Sequence, residues 1–144
     1  GHDIDSAWLL RESAMAIEDQ QEIDRFSDVC VNLANSAMEA IRPIGGLIHE
    51  YDRIKEIEEE YEWWAQAEAI VGFLEAWKIT GDEKYLDIAS GIREFIEKYF
   101  VDKHYGEWYY RVNKEGKPLE GYEKAGFWKC PYHSVRMCLE ILKH

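Results

Sequence analysis

Basic side chains are scarce. The 144 residues hold 17 lysines and arginines against 29 aspartates and glutamates, a net charge of −12. That balance excludes a nucleic-acid partner, because phosphate backbones are bound through clustered Lys and Arg. Long apolar runs are also missing. No stretch reaches the roughly eighteen apolar residues that a membrane span requires, and no basic segment followed by an apolar one gives the pattern of a secretory signal. Cysteine is limited to Cys30, Cys130 and Cys138. An odd number without metal-type spacing suits reduced thiols, buried as small hydrophobes, and a cytoplasmic setting. No His/Cys/carboxylate cluster has the spacing of metal ligands, so neither a metal nor a cofactor is expected.

What is present is apolar and aromatic: 47% hydrophobic and 14% aromatic residues. A chain of this length and composition builds one domain with a real core. Four helices are expected before residue 101. The first spans about Ile4 to Glu18, with Asp3, Asp5 and Ser6 placed to satisfy its free N–H groups. The second, about Glu22 to Ile41, carries a single apolar stripe and ends at Arg42-Pro43-Ile44-Gly45-Gly46. The third, about Glu62 to Thr80, is apolar nearly all round and is therefore enclosed. Gly81 and Asp82 then supply a C-cap and an N-cap, and the fourth helix, Asp82 to Phe100, returns to one stripe. Leu47 to Tyr51 reads as a short extended piece. The acidic run Glu56 to Glu60 is a cation site or, more simply, a solvated lead-in to the third helix.

From Val101 to Pro131 the helical pattern lapses. Residues 106–118 read as a hairpin, followed by a long aromatic-rich loop of the kind that is more often functional than idle. A fifth helix runs from His133 to about Leu142. Enclosed and one-sided helices in alternation fit inner and outer layers of a helical barrel. Short connections then start helices one, three and five at the same end. That end gathers His2, Trp63-Trp64 and His133.

His2 and His133 are the candidate acid/base pair, since imidazole titrates near neutrality; a capping or loop role for His133 is the plainer alternative. Asp5, one turn after His2, could charge-stabilise an imidazole or merely add N-terminal helix charge. Trp63, Trp64, Trp128 and Tyr132 form a candidate platform for the C–H faces of a sugar, with Gln66 or Glu68 meeting its hydroxyls. Adjacent Trp63 and Trp64 point about 100 degrees apart, so at least one of them belongs to the core. Arg136 suits a ligand clamp or a structural pairing. His49, His104 and His144 lack comparable context.

These residues carry a resemblance. Gly-His-Asp-Ile-Asp-Ser-Ala-Trp-Leu-Leu at 1–10 and Trp-Trp-Ala-Gln-Ala-Glu-Ala at 63–69 resemble the N-acylglucosamine 2-epimerase superfamily. Trp128-Lys-Cys-Pro-Tyr-His133, followed by Arg136-Met-Cys, is similar to its cellobiose (or mannobiose) 2-epimerase branch, as are Gly106-Glu-Trp and the Gly116-Lys-Pro turn. The resemblance runs through essentially the whole chain. It implies an all-α fold of inner and outer helix pairs, residues 1–144 forming the C-terminal portion of a single (α/α)6 barrel whose N-terminal portion is absent. Gly1 in place of Met fits such a piece of a longer protein, unless Gly1-His2 is an added dipeptide that mimics the motif.

The resemblance further implies a cofactor-free sugar 2-epimerase, with His2 and His133 as the acid/base residues of a cis-enediolate mechanism. Asp5, Trp63, Trp64, Glu68 and Trp128 would line the sugar subsites. The substrate would be a disaccharide or an N-acylated hexosamine. The isolated chain would have little or no activity and could self-associate through an exposed barrel interior. Two positions depart from the family pattern: Asp5 stands where Glu is usual, and Ser134 where Asn is usual. An aldose–ketose isomerase of the same fold and a non-catalytic sugar- or protein-binding module are the competing readings.

Overall fold

The computed structural model describes residues 1–49 and 60–143. Five α-helices account for most of it: α1 (His2–Ala16), α2 (Gln20–Met38), α3 (Trp63–Thr80), α4 (Glu83–Phe95) and α5 (Tyr132–Leu142). Helix α3 is the axis of the fold. Every residue from Trp63 to Phe73 is buried, which follows from its lack of a polar face, and α3 packs against each of the other four helices. Helices α1 and α5 flank it on the inner layer, while α2 backs α1 and α4 backs α3. Tyr85 of α4 ties the outer layer together by donating its hydroxyl to Asn35 of α2 at 2.9 Å.

Local chemistry sets the ends. Asp19 caps α2 through its carboxylate, which accepts from the N–H groups of Gln21 and Glu22, so α2 starts two residues before the first apolar position suggests. Asp82 caps α4 in the same way through Lys84 N–H. Gly81, at φ 69°, supplies the left-handed turn that ends α3. The expectation of side-chain caps on α1 fails: its N-cap is Gly1, with no side-chain cap hydrogen bond, and Asp3 and Asp5 only add acidic groups to the first turn. Helix α2 ends at Met38, before Ile41, because Ile41 is drawn into a bridge with Leu47 across the Pro43–Gly46 turn. Beyond Phe95, α4 widens into a π-helical turn, Ile96–Phe100, still burying Ile96 and Phe100.

The expected hairpin is only partly a hairpin. Asn113 to Gly116 make the turn, closed by a bridge from Val112 to Pro118. Its strand β2 (Arg111–Val112), however, pairs antiparallel with β1 (Tyr61–Glu62), in register Tyr61 opposite Val112 and Glu62 opposite Arg111. A two-residue strand just ahead of α3 leaves no periodic signal, and its partner lies some fifty positions downstream. Of the extended piece expected at 47–51, Leu47 and Ile48 are buried and His49 is partly exposed; residues 50 and 51, and the acidic run up to Glu59, lie outside the described residues.

The inner helices approach closely. A Cβ on Gly72 would stand 2.6 Å from the side chain of Ile4 and 2.9 Å from its carbonyl oxygen, so α1 lies on α3 at a distance only glycine permits. Cys30 of α2 is fully buried, and burial pushes its thiol up to about 12, leaving it an inert packing group.

Candidate active site

Three helices begin at one place. His2 is the first residue of α1, Trp63 and Trp64 open α3, and His133 is the second residue of α5. Trp64 touches both histidines: its ring lies edge-on to His2 at 5.0 Å and 5.7 Å from His133 between centroids. Trp63 meets the His133 ring at 6.3 Å. These side chains, with Asp5, His49, Tyr110 and Trp128, line a cleft of about 390 Å³. The gathering expected from helix parity is thus present.

Beneath the cleft lies Glu68, one turn along α3 from Trp64 and only 1% exposed. Its Oε1 is 2.5 Å from His133 Nδ1 and accepts from Arg136 Nη2 at 2.5 Å. Its Oε2 accepts the Trp8 indole N–H at 3.0 Å. Burial alone would push this carboxyl up, but the hydrogen bonds from His133 and Arg136 outweigh it and hold Glu68 below the usual carboxylate range. An ionised carboxylate only accepts, so Nδ1 of His133 carries the hydrogen and Nε2 is the edge left for the cleft.

Asp5 has the opposite fate. Partial burial and the negative Glu68 raise it to about 6, against the opposing pull of Arg136. Arg136 Nη2 reaches Asp5 Oδ1 at 3.4 Å, and its guanidinium lies over the rings of Trp8 and Tyr132. Arg136 therefore serves as the structural pairing anticipated for it.

Several site residues sit differently from expectation. Glu68, anticipated at sugar hydroxyls, is under His133 with both oxygens occupied. Gln66 is fully buried, its amide spent on both the N–H and the carbonyl of Leu47. Trp63 and Trp64 are both largely enclosed and reach the cleft only along an edge. Tyr132 bonds Arg136 and is absent from the cleft lining. Trp128 is 79% exposed beside Phe127, on a loop anchored by the buried Lys129. That ammonium donates to Glu107 Oε1 at 2.9 Å and the Lys124 carbonyl at 2.8 Å, and lies over the Trp63 ring.

Sequence reasoning passed over Lys129, Tyr110 and His49. The last is 5.5 Å from Trp64 between ring centroids. Among the described residues no cluster of three or more His, Cys, Asp or Glu is placed to hold a metal ion, and no helix is long and apolar enough to cross a membrane.

Comparison with known proteins fits this geometry. Residues 1–137 match the model of the N-acylglucosamine 2-epimerase family. The cellobiose 2-epimerase of Bacteroides fragilis is 38% identical over 143 residues, covering 99% of this chain and 36% of its own. A sugar epimerase from a ruminal bacterium superposes with a TM-score of 0.93 at 36% identity, over 99% of this chain and 36% of that one. A D-mannose isomerase, 22% identical with a TM-score of 0.82 over the same shares, has the same fold. The arrangement of inner and outer helices is that of part of an (α/α)6 barrel. The chain spans about a third of the length of these relatives.

Proposed function

Because the chain belongs to the N-acylglucosamine 2-epimerase family, we propose that the full-length protein epimerises a reducing-end sugar of the cellobiose or mannobiose type at the carbon beside the anomeric centre. The observation that carries this reading is the pair His2 and His133, both in ring contact with Trp64 and both lining one cleft. Inverting that carbon needs a base on one face and an acid on the other. Two imidazoles at the starts of rigid helices meet the requirement.

The open-chain aldehyde makes the neighbouring C–H acidic. One imidazole takes that proton, the electron pair moves into a cis-enediolate, and the other imidazole returns a proton to the opposite face. No net redox change occurs. Glu68 keeps the His133 tautomer fixed and stabilises its imidazolium. Asp5 tunes the same network from α1, and Trp128 offers an exposed face for the sugar's C–H surface. Donors for the enediolate oxygens, and the wall facing this cleft, come from the rest of the barrel.

The test is proton NMR of cellobiose, mannobiose and N-acetylglucosamine in heavy water with the full-length protein. The expected result is loss of the signal at the carbon beside the anomeric centre, together with appearance of the epimer, both abolished by His133→Ala. A ketose as the sole product would assign the aldose–ketose isomerase instead, a reaction that shares the enediolate. Exchange surviving in both His2→Ala and His133→Ala would remove the two-histidine mechanism.

A further inference from the structure

We propose that His49 is a third histidine of this site, contacting a hydroxyl of the bound sugar while Glu62 holds its imidazole. The inference rests on the sugar-site reading above and extends it to a residue outside the acid/base pair. His49 lines the cleft, its ring 5.5 Å from Trp64 and 6.3 Å from His2.

Its footing is rigid. Leu47, two residues earlier, is pinned at both backbone groups by Gln66, and the His49 N–H donates to the Glu60 carbonyl at 3.3 Å. On the ring, Nδ1 stands 3.6 Å from Oε2 of Glu62, a carboxylate with 6% of its side chain exposed. That same oxygen accepts the Trp64 indole N–H at 2.5 Å, and Oε1 is bonded by Arg111, the residue opposite Glu62 in the strand pair. Glu62 is therefore an acceptor fixed from two sides.

A carboxylate facing Nδ1 favours the hydrogen on that nitrogen, and the ring itself lines the cleft. The contact is one of charge, looser than the hydrogen bond of Glu68 to His133, at 3.6 Å against 2.5 Å. Trp64 thus has ring contact with two imidazoles that each face a glutamate, Glu62 for His49 and Glu68 for His133. His49 lies beside His2, the two rings 6.3 Å apart between centroids. A position beside one base suits binding of a neighbouring hydroxyl, not a further proton transfer at the reacting carbon.

The test is imidazole ¹H–¹⁵N NMR of the full-length protein titrated with cellobiose, each histidine assigned by its own substitution. His49 Nε2 is expected to shift together with His2 and His133, and His49→Phe to weaken cellobiose binding about tenfold, the loss of one good hydrogen bond. His49→Gln, which keeps a polar end, should recover part of that loss and guards against a misfolded Phe variant. Glu62→Gln should move the His49 ring nitrogens while leaving those of His133 in place. Shifts at His2 and His133 with His49 silent, and unaltered binding by both His49 variants, would overturn this inference and leave the site reading standing. No shift at any of the three would remove the site reading and this inference with it.

Discussion

Nδ1 of His133 lies 2.5 Å from Oε1 of Glu68, so an α5 residue at the cleft and an α3 residue in the core share one hydrogen bond. Glu68→Gln keeps the size of the side chain but removes the charge that fixes the imidazole tautomer. Turnover in the heavy-water assay is expected to fall by about a hundredfold, the lower end of the range for general acid–base groups. Glu68→Ala goes further by leaving the Trp8 N–H without its acceptor and the Arg136 guanidinium without its buried carboxylate, with only Asp5 and the Tyr132 hydroxyl beside it. Denaturant titration should register a loss of about 3 kcal/mol, as for other broken buried charge pairs.

The raised Asp5 carboxyl has a signature in stability. Its ordinary value of 3.8 becomes about 6 in the fold, so between those limits the native state holds a proton that the unfolded state has released. Asp5 therefore contributes a stability that is full below about 4 and declines as the pH rises toward 6. Glu68, held low, works with the opposite sign at more acidic pH. Comparing wild type with Asp5→Asn from pH 4 to 7 isolates the Asp5 part: the wild-type curve should slope downward relative to the variant within that window. Parallel curves would contradict the assignment.

Two glycines should respond in opposite directions to alanine. Gly72→Ala pushes a methyl group into Ile4, including its backbone oxygen, and overpacking of this kind costs about 1–3 kcal/mol. Gly91 lies inside α4, where a Cβ meets nothing within 4 Å. Gly91→Ala should stabilise by about 0.5–1 kcal/mol through helix propensity alone. Thermal or denaturant melts of the two variants provide the check.

Trp128 is exposed and carries little of the fold. Trp128→Ala is expected to leave stability within about 0.5 kcal/mol of wild type while raising KM for the disaccharide about tenfold, with kcat less affected. An unchanged KM would take Trp128 out of the sugar site.

The helices were legible because their signals are local. Gly81 and Asp82 announce ends within a few residues of where they act, whereas the Asp19 cap of α2 went unread, and the apolar face of α3 predicts its burial directly. Helix parity brought His2 and His133 to one end without any contact being known. What stayed hidden depends on partners distant in sequence. Nothing near Gln66 says that its amide will bind the backbone of Leu47. Nothing near Glu68 says that Trp8, His133 and Arg136 will saturate it, and an acidic residue beside two tryptophans reads naturally as a sugar ligand. Lys129 looks like a surface charge until Glu107 and the Lys124 carbonyl are seen to enclose it. His49 has no neighbouring motif at all; only the turn of the chain back onto α3 brings it to Trp64.

Because Glu68 joins Trp8 of α1 to His133 and Arg136 of α5 through a single carboxylate, fitness for turnover and resistance to unfolding meet in one side chain. A directed-evolution campaign that selects for heat tolerance alone would have little room to move at this position. Its gains would have to come from distant ground such as Gly91 in α4, where helix propensity can improve without disturbing the imidazole above the core.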